Sequence, residues 1–231
     1  MQPALVVFDL DGTLIDSAPD MHLAVNFMLA DMGCPPLSLP EIRTMVGDGA
    51  SALIARALAA RQCVTADPTK ALAQFLEHYE ENPTAFTPTF PGVPATLERL
   101  QAIGLTLAIC TNKPTRLTHM ILERLGINRF FVRVIAGDTL PFRKPDPRAL
   151  IEVLNVFGTP PAAAIMVGDS EVDAATAHAA NVPFILMTYG YHRRAFALQQ
   201  SLVCARLHDY RIMHISVASG ETHAKKEQTK T

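Results

Sequence analysis

Short apolar runs alternate along this chain with longer stretches in which apolar residues recur every three or four positions. Leu5-Val6-Val7-Phe8, Leu105 to Cys110, Phe131 to Ala136, Ala164 to Val167 and Phe184 to Met187 are continuous rather than alternating. That is the pattern of strands in a parallel sheet covered on both faces. Val93 to Ala102, Pro114 to Leu125, Pro147 to Phe157 and Val172 to Ala180 carry the helical period. Gly104 and Gly126 stand where helix C-caps belong. Strand-helix alternation of this kind winds through right-handed crossovers. The expected fold class is therefore α/β, a doubly wound, Rossmann-like parallel sheet built from residues 1–15 and 87–210.

One segment breaks the alternation. Residues 16–86 hold no strand pattern, only helical ones. Met21, Val25, Met28 and Met32 repeat at helical spacing and stop at Gly33. Ser38-Leu39-Pro40-Glu41 has the spacing of a capping box with a proline in the first turn. Asp67-Pro68 opens another helix running towards Asn82. About seventy helical residues inserted after the first strand predict a separate all-α unit, joined back to the sheet by the proline-rich stretch from Pro83 to Pro94. Residues 211–231 form a C-terminal tail that becomes polar and lysine-rich from Ser219.

Composition narrows the functions available. With 231 residues, 49% hydrophobic and 18% charged, the chain is long enough to bury a real core. A net charge of -2 gives no general attraction to nucleic acid or anionic membranes, so neither is an expected partner and any anion binding must be local. The apolar stretch from Ala4 to Phe8 is far too short to span a bilayer. Four dispersed cysteines, Cys34, Cys63, Cys110 and Cys204, show no paired spacing and no signal peptide precedes them. Reduced thiols and a cytoplasmic location are expected. Monomer and homodimer are both open.

The candidate chemistry sits at predicted strand ends. Phe8-Asp9-Leu10-Asp11-Gly12-Thr13 puts two carboxylates at the end of the first strand, where open α/β sheets bind ligands. Alone this is an ordinary turn; paired carboxylates also suit Mg²⁺, and a carboxylate can attack phosphorus to give an aspartyl-phosphate. Thr111-Asn112-Lys113 ends the second strand with a hydroxyl and an amide that can hold phosphoryl oxygens or simply cap a helix. In Arg143-Lys144-Pro145-Asp146-Pro147, Asp146 is the expected N-cap and Pro147 the first residue of a helix. Lys144 just before it is either a positioned cation or, taken alone, an ordinary solvent-exposed lysine, while Arg143 reads as surface. Gly168-Asp169-Ser170-Glu171-Val172-Asp173 adds Asp169 at a further strand end. Asp173 is either an outer partner of a metal site or of Lys144, or an acid favoured by the helix dipole. Glu171 reads as surface.

Taken in order, Asp-x-Asp-Gly-Thr, Thr-Asn, Lys-Pro and Gly-Asp-Ser-x-x-Asp resemble the haloacid dehalogenase superfamily over most of the chain. The resemblance implies Asp9 as nucleophile and metal ligand. It makes Asp11 the general acid/base, which also contributes to the metal through its backbone carbonyl, and Asp169 the remaining metal ligand. Thr111, Asn112, Lys144 and Gly12 would hold the phosphoryl group, with Asp173 and Ser170 behind them, Mg²⁺ as cofactor and the helical insert as a mobile cap. Asp11 argues against the dehalogenases, which lack this acid. Lys70 is the only lysine in the predicted cap and sits in a polar helix start, which argues against Schiff-base phosphonate cleavage.

Leu14 to Pro19, Val46-Gly47-Asp48-Gly49-Ala50, Thr111 to Thr115 and Thr188-Tyr189-Gly190-Tyr191 resemble the phosphoglycolate phosphatase branch. There the implied substrate is a small phosphorylated metabolite, 2-phosphoglycolate, and the products are glycolate and phosphate. A sugar-phosphate mutase or a broad phosphatase on the same scaffold is the alternative. A non-catalytic regulatory protein has no need for Asp9, Asp11, Lys144 and Asp169 together. From about Arg211 the chain departs from the branch, which usually ends in a short strand and an apolar helix.

Overall fold

A computed structural model of the chain describes residues 4–63, 66–191 and 204–207. Strands Leu5–Phe8 (β1), Thr106–Cys110 (β2), Arg133–Ile135 (β3), Ala164–Gly168 (β4), Phe184–Met187 (β5) and Cys204–Leu207 (β6) form one sheet. Their order is β3-β2-β1-β4-β5-β6, and every pairing is parallel. β1 and β5 coincide with the apolar runs read from the sequence; β2 and β4 differ by one residue at one end, and β3 is shorter by two residues at its start and one at its end. β6 has no counterpart in that reading. Its Cys-Ala-Arg-Leu is too short and too mixed to stand out, as edge strands often are. The tail at 211–231 lies outside the described residues.

Helices cover both faces because strand residues alternate between them. Val6 and Phe8 point into the face covered by Val93–Ala102 (α5 in chain order) and Thr115–Arg124 (α6). Leu5 and Val7 point the other way, towards Arg148–Val156 (α7) and Glu171–Ala179 (α8). All four β1 side chains are fully buried, which explains their unbroken apolar run. α7 begins one residue later than expected. Pro147 takes the cap position, and Asp146 lies outside it, accepting the Arg148 N–H and pairing with its guanidinium at 2.6 Å.

Four helices fill the segment between β1 and α5: Ala18–Asp31 (α1), Leu39–Arg43 (α2), Ala50–Ala60 (α3) and Pro68–Glu81 (α4). α1 and α4 pack together, burying Val25, Met28, Phe75 and Tyr79 in the same core cluster as Val6 and Phe8. Ser38 and Glu41 form the reciprocal capping box of α2, and Asp67 caps α4 through the Thr69 N–H at 2.8 Å. Cys34 and Cys63 are joined in a disulfide, contrary to the expectation of reduced thiols. The ends of α1 and α3 meet in space and bring the two residues to a Cα separation of 6.3 Å, which a sequence gap of 29 conceals. Cys110 is free and buried. Among the described residues no helix is long and apolar enough to cross a membrane.

The two connections between helices and sheet run side by side. Asp16 donates its N–H to the Pro88 carbonyl and Phe90 donates to Leu14, both at 3.0 Å, around a bridge between Ile15 and Thr89. Asp20, in the first turn of α1, closes the junction. Its buried carboxylate accepts the Phe86 N–H at 3.0 Å and the Thr87 hydroxyl at 2.5 Å. Replacing Asp20 by Ala strands those buried donors and is expected to lower stability by about 1–3 kcal/mol, while Asp20→Asn, which keeps one acceptor oxygen, recovers part of the loss. Thermal or urea unfolding checks this, and unchanged stability in Asp20→Ala would refute the clamp.

Candidate active site

β1 lies between β2 and β4, at the point where the chain reverses its direction across the sheet. The carboxyl ends of these three strands are therefore adjacent, and the residues that follow them converge: Asp9 after β1, Thr111 after β2, Asp169 after β4. Gly12 makes the convergence possible. Its φ is +82°, and a Cβ there would collide with the Asp169 carboxylate and the Tyr191 ring. At Gly190 too, a Cβ would collide with the Asp169 side chain.

Three buried carboxylates, those of Asp9, Asp169 and Asp173, come together with one oxygen of each within 4.8 Å of the others. Asp169 is held by the Thr13 hydroxyl at 2.8 Å and by the Tyr191 N–H at 2.6 Å. Asp173 accepts the N–H and hydroxyl of Ser170 with one oxygen, at 3.1 and 2.5 Å, which is half of the capping box of α8. Its other oxygen takes the ammonium of Lys144 at 2.5 Å. Both readings of Asp173 thus describe one arrangement: it caps the helix and pairs with the lysine.

Lys144 is the cation of this cluster. Its side chain is 2% exposed, and Nζ reaches Asp9 at 2.7 Å as well as Asp173. The backbone behind it is pinned by Asn112, whose amide nitrogen donates to the Lys144 carbonyl at 2.9 Å and to the Gly47 carbonyl of the helical segment at 3.0 Å. Arg143 is exposed.

One ammonium does not balance three carboxylates. Burial pushes the Asp9 carboxyl up to about 7; Lys144 opposes the shift, and the neighbouring Asp173 adds to it. Burial and the charges of Asp173 and Asp9 hold Asp169 well above the usual carboxylate range. Burial works against the charge on Lys144, yet Asp173 and Asp9 together keep it above the ordinary lysine value. Such a cluster of hard oxygen donors, short of positive charge, fits a divalent cation.

Asp11 faces elsewhere. Its carboxylate accepts from the Ser17 hydroxyl at 2.5 Å and from Lys113 Nζ at 3.0 and 3.2 Å, and it is not part of the three-carboxylate group. In the sequence Lys113 reads only as part of a strand-end cap. The side chain is 2% exposed, donates to the Tyr79 hydroxyl at 2.9 Å, and lies 4.6 Å from the centre of the Tyr79 ring. Burial and the Asp11 charge raise the Tyr79 phenol above its usual value. Nothing in the local sequence ties Lys113 to Tyr79, 34 residues away on α4.

Asp9, Asp11, Thr111, Asn112 and Lys113 form the floor of a pocket roofed by α1, α3 and α4. Its apolar wall includes Met21, Val46, Leu53, Phe75 and Leu117, and its volume is about 40 Å³. Each water-sized group needs roughly 10–15 Å³ by such a measure, so in this arrangement there is room for only a small molecule or part of one.

The Haloacid dehalogenase-like hydrolase family model matches residues 6–187. A phosphoglycolate phosphatase of Cereibacter sphaeroides is 47% identical over 188 residues, covering 80% of this chain and 85% of the relative. Phosphoglycolate phosphatase 1 of Pseudomonas aeruginosa is 43% identical over 213 residues, covering 90% of this chain and 78% of that protein. The crystal structure of a predicted phosphoglycolate phosphatase from Haemophilus somnus superposes with a TM-score of 0.85 at 35% identity, covering 91% of this chain and 96% of that one. The sheet order, the residues gathered at its strand ends and these relatives agree: the chain belongs to the haloacid dehalogenase-like hydrolase family.

Proposed function

We propose that the protein is a Mg²⁺-dependent phosphate monoester hydrolase that converts 2-phosphoglycolate to glycolate and phosphate through an aspartyl-phosphate on Asp9. The observation that carries this reading is the buried cluster of Asp9, Asp169 and Asp173 around Lys144 at the ends of β1 and β4. The choice of substrate rests on the phosphoglycolate phosphatases of Cereibacter sphaeroides and Pseudomonas aeruginosa, to which the chain is 47% and 43% identical.

In this reading Asp9 and Asp169 would hold the cation, Asp11 would contribute its backbone carbonyl, and Asp173 would stand behind them. When bound, Mg²⁺ neutralises the carboxylates and offsets charge on the transferring phosphoryl oxygens. An oxygen of Asp9 attacks phosphorus, and the bond from phosphorus to the ester oxygen breaks. Asp11 gives that oxygen its proton. In the second half water attacks the phosphorus of the aspartyl-phosphate, Asp11 takes the water's proton, and Asp9 is regenerated. Lys144, already 2.7 Å from Asp9, stays beside the group throughout and favours the ionised, attacking form of the carboxylate. Thr111, Asn112 and the turn at Gly12 complete the phosphoryl site. The helices α1 to α4 act as a cap that excludes water from the first half of the reaction.

A panel of phosphate monoesters assayed with Mg²⁺ and again after chelation tests this directly. A strong preference for 2-phosphoglycolate, lost on chelation and restored by Mg²⁺, is the expected result. A flat substrate profile would overturn the substrate, and metal-independent turnover would overturn the cofactor.

The charge imbalance also has a pH signature. Asp9 has a folded pKa of about 7 against an ordinary 3.8, so its burial favours the protonated form. Relative to Asp9→Asn, the chelated wild-type protein is expected to lose stability as pH rises from 3.8 through about 7, where the folded-state proton is lost. Mg²⁺, which needs ionised ligands, is expected to raise Tm more at about pH 8 than at about pH 5. Equal Tm shifts at both pH values would contradict the assignment.

A further inference from the structure

The pocket described above has a single cation in its wall. Among the described residues that line it, Lys113 alone carries a positive side chain; Asp9 and Asp11 are the anions, and most of the remainder is apolar or backbone. A buried ammonium with apolar neighbours exerts a far stronger pull on an anion than a solvated lysine does, because little water screens it. Its partners here are both oxygens of Asp11, at 3.0 and 3.2 Å, and the hydroxyl and ring of Tyr79. Lys113 is thus tied on one side to the residue assigned to the ester oxygen and on the other to a helix of the cap.

We propose that Lys113 is the specificity-determining residue that receives a second anionic group on the substrate, a carboxylate carried on the carbon next to the phosphate ester. The proposal rests on the hydrolase reading above and deepens it. The position follows from the pairs already given. Asp11 acts at the ester oxygen, and Lys113 Nζ lies one hydrogen bond beyond Asp11. A carboxylate two bonds from that oxygen can therefore reach the ammonium, whereas a longer chain places its charge against the apolar wall of Leu53, Phe75 and Leu117. On binding, the substrate carboxylate takes the place of the Asp11 carboxylate at Lys113, and Asp11 turns to the ester oxygen.

The start of α3 supports the same placement. Gly49 caps this eleven-residue helix without any side-chain hydrogen bond, and Gly49 and Ala50 line the same pocket, so the positive end of the helix faces it. Tyr79 adds selection of another kind. Its hydroxyl and ring hold Lys113 in place from the cap side, so charge recognition and cap closure involve one residue pair. An ester lacking the second anion leaves Lys113 on Asp11 and gains nothing from the cation.

The test compares 2-phosphoglycolate with 2-hydroxyethyl phosphate, which replaces the carboxylate by a neutral group, in the Mg²⁺-loaded enzyme. In Lys113→Met both esters lose the Lys113–Asp11 pair, but kcat/KM for 2-phosphoglycolate is expected to fall about 10²-fold further than that for the neutral ester, the loss of one buried charge-assisted contact. The preference between the two esters collapses. A lysine serving only the packing of Asp11 would depress both esters alike, and preservation of the preference in Lys113→Met would overturn the proposal. If wild type itself shows no preference, the substrate reading fails instead. Should Lys113→Met not fold, Tyr79→Phe supplies the second variant: loosening Lys113 is expected to raise KM for 2-phosphoglycolate more than for the neutral ester, and an equal change for both would count against the assignment.

Discussion

The structure is organised around an unfavourable arrangement, three buried carboxylates with one ammonium, which bridges two of them. Two unit charges of like sign 4.8 Å apart repel by roughly 3 kcal/mol at an effective dielectric constant of 20. The protein bears this at the ends of β1 and β4 because Lys144 bridges Asp9 and Asp173, the Thr13 hydroxyl and Tyr191 N–H fix Asp169, and Ser170 fixes Asp173. Every one of those contacts orients an oxygen towards a shared space. The remaining excess of negative charge suits a hard dication, and it adds to the burial that pushes Asp9 up to about 7.

The sheet supplies the geometry that lets so few residues do this. Parallel strands present all their carboxyl ends on one side, and the order β3-β2-β1-β4-β5-β6 makes the ends of β1, β2 and β4 neighbours. Buried apolar strands on both faces hold those ends rigid. The helical segment returns to the same place. Asn112 joins its Gly47 to the loop of Lys144, Lys113 joins its Tyr79 to Asp11, and Asp20 ties its first helix to the returning chain.

Much of this was readable along the chain. The unbroken run Leu5-Val6-Val7-Phe8 marks β1 to the residue because both its faces are buried, and Asp9, Thr111 and Asp169 follow from the ends of such runs. Ser38 and Glu41 announce α2 because capping is local chemistry. What escaped depends on contacts between distant segments. Lys113 resembles any lysine after a strand until Asp11 and Tyr79 surround it. Asp20 looks like a first-turn acid, although its carboxylate serves the backbone of residue 86. Cys34 and Cys63 have no spacing signature, and β6 lacks the apolar density that burial on both faces demands. The placement of candidate residues fixed by the strand they follow was legible; that of residues fixed by contacts between distant segments was not.

The central claim is that the Asp9 carboxylate takes the phosphoryl group. Reaction of the Mg²⁺-loaded enzyme with 2-phosphoglycolate, followed by rapid borohydride reduction and peptide mass analysis, reads it out. Reduction converts an aspartyl-phosphate to homoserine. The account predicts substrate-dependent homoserine at position 9 and none in Asp9→Asn. Steady turnover with an unmodified Asp9, or with the phosphoryl group trapped on another residue, would contradict it.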